Sequence, residues 1–134
     1  MEETNLSRAG SILVVDDDPV VRSLMRATLE NDNFEVIEAA DGVEGCRLYE
    51  ERRPDLLLVD VIMPRMDGFE LCRRARALPG YQKTPVIYVT IHSDFESQAK
   101  SALSGADDLI TKPVFGMELA VKAVTLLLKS RVPA

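Results

Sequence analysis

The 134-residue sequence contains a single histidine, His92, and only two cysteines, Cys46 and Cys72. Neither cysteine has a histidine or another cysteine at the spacing of metal ligands, which argues against a zinc site. Free cysteines are among the most often buried residue types. We therefore expect both cysteines to be buried, reduced thiols on helices.

Long apolar runs and a basic surface are also missing. No apolar stretch approaches the roughly 20 residues that span a bilayer, and residues 1–10 are too polar for a secretory signal. The formal net charge of −6 argues against nucleic-acid binding, because phosphate contacts need a basic surface. These absences predict a cytoplasmic protein without a membrane or nucleic-acid partner. Residues 1–10 are expected to form a disordered or extended tail.

Strand-like and helix-like patterns alternate five times along the chain. Apolar runs of strand length occupy residues 11–15, 34–38, 56–60, 85–90 and 107–111. Helical spacing, bounded by N-cap, proline and glycine signals, follows over residues 19–31, 43–52, 69–78, 94–103 and 116–131. Strands that are apolar on both faces, each followed by a helix, indicate a parallel sheet covered on both sides. Right-handed crossovers then favour a doubly wound α/β domain over residues 11–131.

Two of the predicted helices carry apolar stripes that bear on packing. The stripe of the first helix comprises Val21, Leu24, Met25, Thr28 and Leu29. The stripe of the fifth helix that we expect to pack on the sheet comprises Met117, Ala120, Val121, Val124 and Leu128. Another apolar flank of that helix contains Leu119, Ala123 and Leu126. A helix that is apolar on two sides either meets a second surface or lies deeper in its own core.

Polar residues stand where four of the predicted strands end. Asp16 and Asp17 follow the first strand, Asp60 ends the third, Thr90 ends the fourth and Lys112 follows the fifth. The carboxyl ends of parallel strands meet at one edge of a sheet, so these side chains should share one crevice. Two carboxylates ~4 Å apart repel by about 4 kcal/mol at an effective dielectric near 20, so such a cluster takes up protons or binds a cation. Oxygen ligands without histidine or cysteine suit Mg²⁺.

The same residues can handle a phosphoryl group. A metal ion and a lysine neutralise its charge while a nucleophile attacks in line. Asp60 is the best nucleophile because it ends the central strand and precedes a loop, and its attack would form an aspartyl phosphate. Thr90 and Lys112 can each bind a phosphoryl oxygen. Each residue also has an ordinary explanation, such as a helix cap, a turn cap or a solvated charge, but four coincidences at four strand ends explain the set poorly.

Four segments together resemble the receiver domain of bacterial two-component response regulators. They are VVDDDP at residues 14–19, DVIMPRMDG at 60–68, VT at 89–90 and TKP at 111–113. Their order and spacing fit across residues 11–129. The resemblance implies the flavodoxin-like (βα)5 fold with strand order 2-1-3-4-5. It also implies a Lys112–Pro113 bond of the kind that is often cis.

The resemblance assigns a role to each site residue. Asp60 accepts a phosphoryl group from a histidine kinase or a His-containing phosphotransfer protein. Asp17 binds Mg²⁺ directly and Asp16 binds it through water. Asp60 and the backbone carbonyl of Ile62 complete the metal site.

The resemblance further implies how the signal leaves the domain. Thr90 and Lys112 sense the phosphoryl group, and the change reaches a surface formed by the fourth helix, the fifth strand and the fifth helix. That surface binds a downstream effector or a second copy of the chain. The implied protein is a signalling module that catalyses only its own phosphorylation and dephosphorylation.

Leu109 departs from the family pattern, and two other residues occupy positions that affect how long the phosphoryl group persists in the family. Leu109 stands where many members carry an aromatic residue that rotates inward, so that switch is in doubt, although movement around Thr90 stays available. Ile62 and His92 flank the acceptor. An apolar Ile62 would hinder an attacking water, and His92 would either order a water or simply lie exposed in its loop.

Two other functions use a similar set of residues. A Mg²⁺-dependent phosphohydrolase of the haloacid-dehalogenase type also has a nucleophilic aspartate with a threonine and a lysine. Such enzymes usually carry a second acid two residues after the nucleophile, where this sequence has Ile62. A receiver domain that has lost phosphorylation and acts as a scaffold is disfavoured because all five site residues are present. The sequence leaves open whether the chain acts alone or within a larger regulator.

Overall fold

The computed structural model describes residues 10–63, 65–80, 83–91 and 105–131. Its elements are β1 Gly10–Val15, α1 Pro19–Asn31, β2 Phe34–Ala39, α2 Gly42–Arg52, β3 Leu56–Asp60, α3 Gly68–Ala77, β4 Val86–Thr90, β5 Asp108–Thr111 and α4 Gly116–Arg131. Each bound lies within one residue of its predicted position, and α4 is the helix predicted as the fifth. The predicted helix at 94–103 and most of the predicted tail, residues 1–9, lie outside the described residues.

The five strands form one parallel sheet in the order β2-β1-β3-β4-β5, which confirms the doubly wound fold. In the register, Val15 pairs with Val59 and Asp60 pairs with Val89. Thr90 pairs with Thr111 one strand further along. The strands therefore end side by side, and the residues that follow them meet at one edge of the sheet.

Successive strand residues face two separate apolar layers. On one side, Leu57 and Val59 pack with residues of α2 and α3 such as Tyr49 and Leu71. On the other side, the alternate strand residues pack with Met25 and Leu29 of α1 and with Leu119, Ala123 and Leu127 of α4. Each fully buried Leu or Val side chain stabilises the fold by about 1.5–3 kcal/mol. This burial on both faces makes β3 a rigid base for Asp60.

Aspartates begin three of the helices and set how the chain leaves the sheet edge. The side chain of Asp18 accepts hydrogen bonds from the backbone N–H of Val20 and Val21, and proline follows it at the first helical position. Asp41 and Asp67 cap α2 and α3 in the same way, each through a 2.9 Å bond. An N-cap of this kind contributes about 1 kcal/mol. Because Asp18 is the cap, helix capping does not explain Asp16 and Asp17.

The predicted packing face of α4 is wrong. The residues buried against the sheet are Leu119, Ala123 and Leu127, whereas Met117, Val121, Val124 and Leu128 are exposed and Ala120 and Leu126 are half-buried. Since both flanks are apolar, the sequence period alone does not say which one faces inward. In the observed rotation the Lys122 ammonium lies 2.8 Å from the Leu109 carbonyl oxygen and 3.0 Å from Asp108 Oδ1.

Two smaller expectations also fail. Leu24, placed in the buried stripe of α1, is 65% exposed because that helix presents only Met25 and Leu29 fully to the core. Cys72 is buried as expected, but Cys46 is only half-buried, with its Sγ 3.5 Å from Met66 Sδ. The two cysteines do not form a disulfide bond. Among the helices described, none is both long enough and apolar enough to cross a membrane.

Candidate functional site

Three carboxylates converge at the carboxyl edge of the sheet. Asp16 and Asp17 follow β1, and Asp60 ends the neighbouring strand β3. One carboxylate oxygen from each of the three lies within 4.8 Å of the others. Asp16 is fully buried and Asp60 nearly so, while Asp17 is exposed. The cluster predicted from the strand ends is therefore confirmed.

Lys112 joins this acidic cluster from the end of β5. Its Nζ lies 3.1 Å from Asp16 Oδ2 and 3.2 Å from Asp60 Oδ2. The backbone N–H of Lys112 donates to the Thr90 carbonyl oxygen at 2.7 Å, which fixes where the lysine leaves the sheet. The Lys112–Pro113 peptide bond is cis, as the resemblance implied. One ammonium thus faces two buried carboxylates.

Each buried carboxylate divides its oxygens between the backbone and the crevice. Oδ1 of Asp16 accepts from the Asp18 N–H at 2.9 Å, and Oδ1 of Asp60 accepts from the Ile62 N–H at 3.2 Å. The two Oδ2 atoms face Lys112. Although Lys112 is near, buried Oδ2 of Asp16 accepts no well-directed hydrogen bond within the described part of the chain.

The electrostatics of the cluster explain what it can bind. Burial, followed by the charge of Asp16, raises the pKa of Asp60, and Lys112 and the Ile62 N–H offset this only in part. Burial by itself would lower the pKa of Lys112, but Asp16 and Asp60 raise it above its ordinary value. Three ionised carboxylates and one ammonium leave two negative charges uncompensated. A divalent cation would balance them.

The donor set fits Mg²⁺. All of its side-chain ligand atoms are carboxylate oxygens, and a buried Asp16 oxygen lacks a well-directed partner. Magnesium binds through one or two carboxylates, retains several waters and leaves room for phosphate oxygens. The exposed Asp17 keeps the cluster open to solvent on one side.

The remaining predicted site residues stand as follows. Thr90 is buried at the end of β4, next to the strand that carries Asp60. Ile62 donates its N–H to Asp60 and exposes 55% of its surface, and the metal role of its carbonyl stays a prediction. Leu109 is partly buried against the core cluster on one side of the sheet. His92 lies outside the described residues.

Gly68 allows the loop after Asp60 to close over the acceptor strand. A Cβ added at Gly68 would lie 2.6 Å from the Asp60 carbonyl oxygen, so any larger residue would force the two segments apart. The Gly68 N–H donates to the Val61 carbonyl oxygen at 2.9 Å. In the sequence an Asp-Gly pair indicates a turn and does not reveal how closely Gly68 approaches the acceptor.

Arg22 was also missed. Its guanidinium Nη1 donates to the Asp16 carbonyl oxygen at 2.7 Å, and its Nε pairs with Glu38 Oε1 at 3.0 Å. Arg22 is the fourth residue of α1, near a helix N-terminus where the helix dipole disfavours a cation. An arginine in this unfavourable position indicates that it has some partner, but it does not identify that partner.

Comparisons with known proteins agree with this geometry. The model of the response regulator receiver domain family matches residues 12–124. The transcriptional regulatory protein AfsQ1 of Streptomyces coelicolor is 37% identical over 116 residues, which cover 85% of this chain and 50% of that protein. The chain spans about half the length of several curated relatives that it matches.

Two solved structures are similar over nearly the whole chain. The signal receiver domain of a signal transduction histidine kinase from Syntrophus aciditrophicus is 37% identical, with a TM-score of 0.85, and the match covers 94% of this chain and 96% of that one. The receiver domain of the sensor histidine kinase PA1611 from Pseudomonas aeruginosa is 28% identical, with a TM-score of 0.82 over 88% of this chain and 97% of that one. In that structure a magnesium ion is coordinated in the active site cleft.

Proposed function

The chain belongs to the response regulator receiver domains of two-component signalling systems, and on that premise we propose that Asp60 accepts a phosphoryl group with the help of Mg²⁺. The observation that carries the proposal is the meeting of Asp16, Asp17, Asp60 and Lys112 at one edge of the sheet. A receiver domain is not a conventional enzyme, because the phosphoryl group ends on its own side chain. Receiver domains interact with histidine kinases, and we place this one in the cytoplasm.

The acidic cluster would hold the metal. In the proposal Asp17 binds Mg²⁺ directly, Asp16 binds it through water, and Asp60 and the Ile62 carbonyl complete the site. When bound, the ion supplies positive charge against the phosphoryl oxygens. Asp16 contributes a second effect, because its buried charge raises the pKa of Asp60 and makes that carboxylate more basic.

Transfer to Asp60 needs a free carboxylate oxygen and a cation beside it. The Ile62 N–H orients the side chain through Oδ1, which leaves Oδ2 toward Lys112. A new oxygen–phosphorus bond forms to Asp60 while the bond from phosphorus to the donor histidine breaks, and its electron pair leaves with the imidazole. Lys112 then pairs with the phosphoryl oxygens, and the Thr90 hydroxyl donates a hydrogen bond to one of them.

Exposed apolar residues around the acidic cluster support docking of a phosphodonor protein. They are Val20, Leu24, Ile62, Ile91 and Phe115, each more than half exposed. A groove of about 260 Å³ between α1 and the segment after β5 is lined by residues that include Leu24, Lys112 and Val114. Apolar patches of this kind mark protein contacts. We propose that a histidine kinase or a His-containing phosphotransfer protein packs here.

The exposed stripe of α4 supports an output surface. Met117, Val121, Val124 and Leu128 lie on the outer side of that helix, and α4 is tied to β5 through Lys122. In the proposal, phosphorylation at the edge of the sheet alters Thr90 and Lys112 and hence the β5–α4 surface, together with the predicted helix at 94–103. A downstream effector or a second copy of the chain would bind this surface.

Phosphorylation by a small donor tests the acceptor directly. Incubation with acetyl phosphate and Mg²⁺, followed by intact-mass measurement, should add one phosphoryl group to the wild type and none to Asp60→Asn. Asp32→Asn is the matched control, because Asp32 is an exposed residue just past the end of α1, away from the sheet edge that carries the cluster. Equal labelling of wild type and Asp60→Asn would mean that another residue is the acceptor.

A phosphomonoester used in place of acetyl phosphate separates the competing functions. A phosphohydrolase would turn over the phosphomonoester many times, whereas a receiver domain should show no more than a single burst of phosphorylation. The absence of an acid at Ile62 and the family match both favour the receiver domain. A scaffold without phosphorylation would leave the wild type unlabelled even at saturating Mg²⁺.

A further inference from the structure

Arg22 connects the acidic cluster to the second strand. From α1 it reaches back to the carbonyl oxygen of Asp16 at 2.7 Å and to Glu38 at 3.0 Å, and only 18% of its side chain is exposed. Glu38 stands in β2 opposite Val14 of β1. The guanidinium therefore spans the gap between the end of β1 and its neighbouring strand.

The contact with Asp16 falls on the peptide that joins it to Asp17. The Asp16 N–H donates to the Ala39 carbonyl oxygen at 3.1 Å, and the Asp16 carbonyl accepts from Arg22. The peptide groups on both sides of Asp16 are thereby held in place. Considering the described residues alone, no hydrogen bond or ion pair holds the Asp17 carboxylate. The point from which the Asp17 side chain leaves the backbone is therefore what the neighbouring contacts determine.

Glu38 holds Arg22 in this position. A hydrogen bond from Arg26 lowers the pKa of Glu38, and although burial opposes this, Arg22 lowers it further, so Glu38 stays ionised. An ionised Glu38 offsets the unfavourable interaction of the Arg22 guanidinium with the dipole at the N-terminal end of α1. Lysine would not replace Arg22, because only the planar guanidinium presents several donors in a fixed geometry that can serve two acceptors at once.

We propose that Arg22 is a positioning residue of the metal site: it fixes the Asp16–Asp17 peptide so that Asp17 is directed toward Mg²⁺. Arg22 does not touch the metal or the phosphoryl group. This inference rests on the proposed function and adds to it a residue outside the acidic cluster.

The sign of the effect distinguishes positioning from charge. Removing a nearby positive charge would by itself strengthen the binding of a divalent cation. Loss of a group that orients a metal ligand weakens binding, typically by about 10–100-fold. A weaker site in an Arg22 variant therefore cannot come from the change in charge.

The test measures Mg²⁺ dissociation constants from amide chemical shifts during titration of the folded protein. Arg22→Met should raise the dissociation constant by about tenfold, with Arg22→Lys in between. Arg26→Met is the matched control, because Arg26 pairs with the same Glu38 without contacting Asp16, and it should leave the constant unchanged. In the metal-free protein, the Asp18 amide should exchange faster in Arg22→Met than in the wild type, because its acceptor is Asp16 Oδ1.

Different failures have different meanings. If Arg22→Met binds Mg²⁺ as tightly as the wild type or more tightly, the positioning role is wrong and the proposed function stands. If the wild type itself binds no Mg²⁺, the proposed function fails with it.

At saturating Mg²⁺ the rate of labelling by acetyl phosphate should return to the wild-type value in Arg22→Met. Should Arg22→Met unfold, Arg22→Lys provides the test, because it keeps the positive charge but loses the fixed geometry that serves two acceptors, so a raised dissociation constant again indicates positioning.

Discussion

Replacing Lys112 with methionine is expected to slow the phosphorylation of Asp60 by about 10²–10³-fold, the usual loss when one group that stabilises transition-state charge is removed. Methionine keeps an unbranched side chain but removes the ammonium that lies 3.2 Å from Asp60 Oδ2. The initial rate of labelling by acetyl phosphate, followed by intact mass, measures the effect. Lys129→Met, an exposed lysine on α4, is the control and should label at the wild-type rate.

The affinity for Mg²⁺ should not fall in Lys112→Met, although the rate of labelling does. Lys112 competes with the metal for Asp16 and Asp60, since it pairs with both. Without the lysine, the three carboxylates carry more uncompensated negative charge. We therefore expect Mg²⁺ to bind as tightly or more tightly in Lys112→Met. Loss of Mg²⁺ binding in a folded Lys112→Met, or labelling at the wild-type rate, would contradict the role assigned to the lysine.

Replacing Asp60 with asparagine is expected to stabilise the metal-free protein at neutral pH, because burial and the neighbouring charge of Asp16 disfavour the ionised carboxylate more than Lys112 favours it. Burial and the charge of Asp16 raise the pKa of Asp60 in the folded state. A carboxyl group with a raised folded pKa costs no stability below its unfolded pKa, where both states are protonated. The cost grows as the pH rises above the unfolded pKa and is complete once the pH has passed the folded pKa. The gain from Asp60→Asn should therefore be present at neutral pH and absent in acid.

With Mg²⁺ bound, the wild type should become more stable than Asp60→Asn, which reverses the order expected for the metal-free proteins. At 100 times its dissociation constant, a ligand of the folded state stabilises it by about 2.7 kcal/mol. The wild type should gain this amount, and Asp60→Asn should gain less because it lacks one carboxylate. Urea unfolding with EDTA and with excess Mg²⁺, followed by circular dichroism, measures both effects. An Asp60→Asn variant less stable than the wild type in EDTA would argue against repulsion in the cluster, and Asp32→Asn should change little.

The acidic cluster could be predicted from the sequence because parallel strands impose its geometry. Once residues 12–15 and 56–59 are paired, the residues after them lie at one edge whatever the details of packing. The position of Lys112 follows for the same reason, since β5 belongs to the same sheet. Burial on both faces then makes the strand pattern unambiguous.

Other features depend on contacts that a pattern does not encode. The predicted inward face of α4 is wrong because both of its flanks are apolar, and only the structure shows that the observed face places Lys122 beside two acceptors on β5. Arg22 escaped notice because its partner is a backbone carbonyl, which any residue carries. The closeness of Gly68 to Asp60 depends on a loop path that a turn signal does not describe.

The binding of magnesium by side chains brought together from separate strands is tested most directly by calorimetric titration. Mg²⁺ added to the wild type should release or absorb heat with a single saturable site. Asp17→Asn should remain folded and lose that heat, whereas Asp18→Asn should keep it, because asparagine also caps helices well. No saturable heat in the wild type, or an unchanged site in Asp17→Asn, would contradict the proposed metal site.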